Sequence, residues 1–196
     1  MTNDSISVLL VDDHTVVRNG VRLMLGTASD IAVTGEAETA QEALDLIQRQ
    51  DFNVALVDIA LPDRSGLDLL KLIRVKKPDL PVLMLSMYSE EIYAVRALKH
   101  GAAGYLTKNS PTGTLVGAIR KAVAGGKYIS PALAEQFACN VGGSPAISHE
   151  ALSDRELEVL KLLVSGDSLA AIAKTLHLSP TTPGRAEFGR MQGFSG

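Results

Sequence analysis

Cysteine is almost absent from this chain of 196 residues. The single thiol, Cys139, excludes an internal disulfide framework and suits a reducing compartment. It reads as an ordinary helix residue. Long apolar runs are absent too. No segment approaches the ~18–20 residues that span a bilayer, and the N-terminus lacks a basic-then-apolar leader. The expectation is a cytoplasmic protein with no membrane partner. An excess of positive charge is also missing. Lys and Arg total 19 against 22 Asp and Glu, a net charge of −3, so any nucleic-acid contact must come from a local surface. What is present is apolar: 46% hydrophobic residues, enough for a core of ordinary size.

That apolar content is distributed in short runs. Five stand out: ISVLLV (6–11), IAVTGEA (31–37), VALVD (54–58), PVLMLS (81–86) and AAGYLT (102–107). Most lack polar alternation, the mark of strands buried on both faces. Between them lie helical patterns. Thr39 and Glu42 form a capping box, followed by Ala43, Leu44 and Ile47 on one face. Leu67, Leu70 and Ile73 recur at three-residue steps, and Gly101 is placed to stop a helix. Another helical pattern, TGTLVGAIRKAVAGG, ends in a glycine pair. The strand starts are 25, 23, 27 and 21 residues apart, room for one helix per crossover. This predicts an α/β fold, a (βα)5 doubly wound parallel sheet.

In such sheets sites form beyond the carboxyl ends of the strands. The first run ends in Asp12-Asp13, the third in Asp58 and the fourth in Ser86, and Lys108 follows the fifth. Each alone reads as a turn residue or cap. Together, on one edge, they are harder to explain that way. Three clustered carboxylates repel each other, and a divalent cation relieves this. Magnesium fits best, because it favours one or two carboxylates with waters and a phosphate oxygen. A lysine and a serine hydroxyl can hold a phosphoryl group. The set points to phosphoryl transfer onto a carboxylate, with Asp58 as nucleophile. Tyr105 reads as a half-buried core aromatic, and Pro62 and Gly66 as loop punctuation.

VLLVDDH, VALVDIALPDRSGLDLL, VLMLSMYSEE and GAAGYLTKNS resemble the receiver domain of two-component response regulators. The resemblance implies a flavodoxin-like sheet of strand order 2-1-3-4-5. It implies that Asp58 accepts phosphate from a sensor histidine kinase. Asp13 and Asp58 would bind Mg2+ by side chains, Ala60 by its carbonyl, and Asp12 mainly through water. Ser86 and Lys108 would hold the phosphoryl group. Tyr105 would turn inward as Ser86 moves. Asn109 stands where many receivers carry proline after a cis bond, a geometry more costly before a non-proline residue.

The receiver is expected over residues 1–125 and a Gly- and Pro-bearing linker over 126–150, with a short helix near 131–139. Residues 151–182 then begin a smaller all-α domain. Ser153 and Glu156 form a capping box, Leu157, Leu160, Lys161 and Val164 share a face, and Gly166 ends the helix. A second short helix and a turn at Leu178-Ser179 complete a helix-turn-helix scaffold. The segment resembles the DNA-binding domain of LuxR/NarL/FixJ regulators, implying promoter DNA as partner and a homodimer on activation. The next helix would read bases, with Thr181 and Thr182 in its first turn. Pro183 and Gly184 oppose its continuation, at roughly 3 and 1 kcal/mol. Residues 151–196 carry five basic and five acidic side chains, without the positive excess of a DNA surface. The expectation is that 183–196 form an atypical tail, of frameshift or artificial origin, in place of the recognition helix.

Three functions follow. The first is a non-enzymatic response regulator acting on transcription. The second is a receiver working through protein contact or as a phosphate sink. The third is a phosphatase of the haloacid-dehalogenase kind, whose acids stand two residues apart rather than adjacent as Asp12 and Asp13 are.

Overall fold

A computed structural model of the chain describes residues 5–87, 90–131 and 133–134. Five strands and five helices alternate: β1 Ile6–Val11, α1 Thr15–Leu25, β2 Ile31–Ala37, α2 Ala40–Arg49, β3 Val54–Asp58, α3 Gly66–Lys76, β4 Val82–Ser86, α4 Glu90–Lys99, β5 Gly104–Thr107 and α5 Thr112–Val123. The strands form one parallel sheet in the order β2-β1-β3-β4-β5. The expected (βα)5 fold is therefore observed.

Continuous apolar runs become central strands because both faces are covered. β3 and β4 are buried along their whole length. Val8, Leu10, Leu56, Leu83, Leu85 and Leu106 share a core with Val21 and Leu25 of α1 and Leu115 and Ile119 of α5. Intervening strand residues point to the other face by the two-residue period. α2 and α3 lie side by side, and their predicted stripes, Ala43, Leu44 and Ile47, then Leu67, Leu70 and Ile73, are all buried. β2, at the edge, is only partly covered.

Helix ends follow local chemistry. The Thr39 hydroxyl accepts from the Glu42 N–H at 3.1 Å, but the returning Glu42 carboxylate takes the N–H of Glu38 at 2.8 Å, one residue before the usual partner. Gly101 has φ +90. Its N–H donates to the Leu98 carbonyl, and that of Ala102 to Ala97, the two bonds of a Schellman cap. This is why β5 starts at Gly104 rather than 102: Ala102 is occupied in closing α4. Likewise β4 starts after Pro81, which has no N–H for a ladder. α1 carries no capping-box signal, and His14 at its N-cap makes no side-chain cap bond.

The chain does not leave the sheet at residue 125. Tyr128 bridges to Gly104 in parallel, its N–H donating to the Ala103 carbonyl at 2.7 Å. Ser130 then caps a helical turn, its hydroxyl accepting from the Leu133 N–H, with Leu133 buried. This turn falls where a helix is expected near 131–139; the remainder of that segment to Cys139 lies outside the described residues. So do the helix-turn-helix segment, Thr181, Thr182 and the tail.

Candidate functional site

The parallel sheet carries Asp12, Asp58, Ser86 and Lys108 to one edge because each directly ends or follows a strand. Asp12 N–H donates to the Ala37 carbonyl, extending the β1–β2 ladder by one residue. Lys108 N–H donates to the Ser86 carbonyl, doing the same beyond β5. The side chains are withdrawn from water: Asp12 is 0%, Ser86 1% and Asp58 3% exposed. Lys108 Nζ donates to Asp58 Oδ2 at 2.8 Å and lies 2.6 Å from Asp12 Oδ2. Asp13 completes the cluster beside Asp12. All peptide bonds among the described residues are trans, Lys108–Asn109 included.

Burial raises the Asp58 carboxyl to a pKa of about 6; the Lys108 ammonium opposes the rise and the Asp12 carboxylate adds to it. Burial also disfavours the charge on Lys108, but the Asp58 and Asp12 carboxylates outweigh it and hold the ammonium above its ordinary value. The backbone of Ala60 hydrogen-bonds to the Asp58 carboxyl. Ala60 also bridges to Ser65, closing a tight loop ahead of α3.

That loop depends on Gly66. A Cβ there would stand 1.9 Å from the Asp58 carbonyl oxygen and 2.8 Å from its carbon. Gly66 is thus more than loop punctuation: it lets α3 begin against the backbone of Asp58. Tyr105 also differs from the half-buried side chain expected, being 1% exposed and fully inside.

Sequence reasoning missed three supporting groups. Arg18, buried on α1, donates from Nη1 to the Asp12 carbonyl at 2.6 Å and from Nε to Glu36 at 3.2 Å, and its Nη2 pairs with Glu38. It fastens the end of β1 to the end of β2. The signal was an arginine at the buried face of an amphipathic helix, four residues before Arg22. Asp63 accepts from the N–H groups of Ala40 and Gln41 at 2.9 and 3.0 Å, tying the loop after Asp58 to the start of α2. Nothing local in the sequence announces that contact across 23 residues. His14 Nδ1 lies 2.7 Å from Asp13 Oδ1.

The cluster suits a divalent cation. Three carboxylates face one ammonium, leaving two negative charges where all are ionised. Asp12, Asp13, His14 and Asp58 each offer a ligand atom, all within 4.8 Å of one another. The oxygen-rich donor set matches a hard cation such as magnesium.

A doubly wound sheet with three clustered acids, two of them buried, and a lysine at its carboxyl edge defines a class, and the comparisons with known proteins agree. Residues 8–120 match the family described as response regulator receiver domain. Residues 150–182 match the bacterial regulatory proteins of the luxR family. The response regulator GacA of Pseudomonas viridiflava is 35% identical over 182 residues, covering 90% of this chain and 84% of the relative. The response regulator UvrY of Escherichia coli K12 is 34% identical over 182 residues, 90% and 82%. Among solved structures, a LuxR-family two-component response regulator from Aurantimonas sp. SI85-9A1 superposes with a TM-score of 0.66 at 32% identity, covering 71% of this chain and 99% of the other. The chain belongs to the LuxR-type response regulators of two-component systems, a receiver followed by a LuxR-type DNA-binding segment. The luxR-family match stops at Thr182, one residue before Pro183. No helix among the described residues is long and apolar enough to cross a membrane.

Proposed function

We propose that Asp58 is the phosphoacceptor of this receiver. The observation that carries the reading is the Lys108 ammonium between the buried carboxylates of Asp58 and Asp12, with Asp13 beside them. An Asp58 carboxylate oxygen attacks the phosphorus of a sensor kinase phosphohistidine. The P–N bond breaks, the imidazole leaves, and an acyl phosphate forms. Lys108 supports the incoming negative charge, and Ser86 donates its hydroxyl to a phosphoryl oxygen. Asp13 and Asp58 by side chain, Ala60 by carbonyl and Asp12 through water would hold Mg2+, which supplies charge neutralisation at the phosphoryl oxygens. Tyr105, buried on the strand next to Ser86, carries the state of the site toward α4, β5 and α5. The chain acts as a signal acceptor, with no turnover of phosphate esters. Multiple turnover would instead favour the haloacid-dehalogenase reading.

The test is covalent labelling by a small acyl phosphate with magnesium. One carboxylate is labelled in the wild type, and Asp58→Ala loses at least about a hundredfold of the label, the scale of removing a nucleophile. Labelling of Asp58→Ala at the wild-type level overturns the assignment.

The output is proposed to be transcriptional, on promoter DNA, as a homodimer in the cytoplasm. Support comes from the luxR-family match and from RcsB, 25% identical over 89% of this chain with a TM-score of 0.64, solved as two dimers bound to two parallel DNAs. Pro183 and Gly184 oppose helix continuation after Thr182, so weak binding of promoter DNA is expected of this chain. A low-salt gel shift, with and without phosphorylation, decides. Tight sequence-specific binding sinks the weak-binding claim; dimerisation without binding favours action by protein contact.

A further inference from the structure

His14 has no role in the phosphoacceptor chemistry proposed for Asp58, yet its ring faces the acid cluster. Nδ1 stands 2.7 Å from Asp13 Oδ1 and 3.3 Å from Asp12 Oδ1. Adjacent ligands on an octahedral cation with bonds of about 2.1 Å are separated by about 3.0 Å, and opposite ligands by about 4.2 Å. The two His14 distances straddle the first value. The span of 4.8 Å over the four donor atoms approaches the second. The backbone sets this aim. The His14 N–H donates to Asp12 Oδ1 at 2.9 Å, and the residue is extended, with φ −91 and ψ 105. It occupies the N-cap of α1, where a side chain commonly bonds the helix N–H groups, but the ring makes no such bond and turns to the acids instead.

We propose that His14 is an additional ligand of the divalent-cation site, through Nδ1, and shifts its preference toward imidazole-binding cations such as cobalt and zinc. The proposal rests on the reading that Asp12, Asp13 and Asp58 hold a divalent cation. Ligation uses the Nδ1 lone pair, with the ring proton on Nε2. Magnesium gains little from an imidazole, whereas transition cations gain a bond suited to them. The alternative is that His14 only pairs with Asp13. In that case its loss changes the binding of every divalent cation by a common factor.

The experiment is equilibrium binding of Co2+ and of Mg2+ to the full chain, comparing wild type with His14→Gln. The ring is 60% exposed, so the substitution leaves the core intact. Cobalt affinity is expected to fall by about tenfold or more, the scale of disturbed metal sites, while magnesium affinity changes by less than about twofold. The visible spectrum of bound Co2+ changes as the nitrogen ligand is lost. Equal changes for both cations, or none, overturn the proposal. Asp13→Asn separates the two levels. It is expected to weaken both cations strongly, and if both bind it as they bind the wild type, the cation site itself is wrong.

Discussion

The two edges of the sheet use the same residue types in opposite ways. At the edge where strands begin, Asp51 pairs with Lys77 at 2.8 Å, and both Asp30 oxygens take the Arg120 guanidinium at 2.7 and 2.9 Å. Those pairs are one-to-one and solvated, and each holds its carboxyl below the usual range through a hydrogen bond to the cation. At the edge where strands end, two buried acids, Asp12 and Asp58, share one lysine with Asp13 beside them, and burial drives Asp58 the other way. An ion pair in water adds little and asks for nothing. A buried excess of charge is costly unless something else neutralises it. The contrast shows that function is marked by imbalance and burial, while charge alone marks only surface.

The largest effect on this comparison should come from Gly66→Ala. Its Cβ meets backbone rather than a yielding side chain. We expect a loss of about 3 kcal/mol or more in urea unfolding, within the range for substitutions that force backbone strain, together with loss of Asp58 labelling.

Asp58→Asn should instead stabilise the cation-free protein. A carboxyl at about 6 when folded and near 3.8 when unfolded binds protons more tightly in the native state. The benefit of protonation is complete below the unfolded value and is lost as pH rises through about 6. At pH 7 and above, replacing the acid should therefore raise stability by about 2–3 kcal/mol, the worth of a shift of this size. The gain should shrink toward pH 4. A stability difference that does not vary with pH between 4 and 7 would contradict the buried-charge account.

Arg18→Gln comes next. It removes the donor to the Asp12 carbonyl and separates the ends of β1 and β2. A loss of about 1–3 kcal/mol is expected, as for a buried charged hydrogen bond, with weaker magnesium binding measured by titration. Smallest of all is Asp51→Asn at the other edge, where the melting temperature should not move measurably.

Much of this contrast was legible from the sequence. The bounds of β1, β2 and β3 coincide with the runs read from the sequence, and the apolar content of β3 fits a strand covered on both faces. Asp12, Asp13, Asp58 and Lys108 were found because strand direction alone fixes their edge. What escaped depends on contact between segments far apart. Asp63 reaches α2 across the loop, Arg18 joins the Asp12 carbonyl to Glu36 and Glu38 from another segment, and the need for glycine at 66 follows from an interatomic distance. Tyr105 was misjudged in depth because a phenol hydroxyl usually seeks the surface.

The bridge between Tyr128 and Gly104 also shields the sheet. β5 is the last strand of the sheet, and its outer rim would otherwise offer bare peptide groups to any passing extended chain. Tyr128 occupies part of that rim with the protein's own backbone. The segment that leads away from the receiver thereby acts as a guard against strand-by-strand aggregation. A receiver cut at residue 125 would lose this guard, and its solubility should decline with concentration even though the phosphorylation site is untouched.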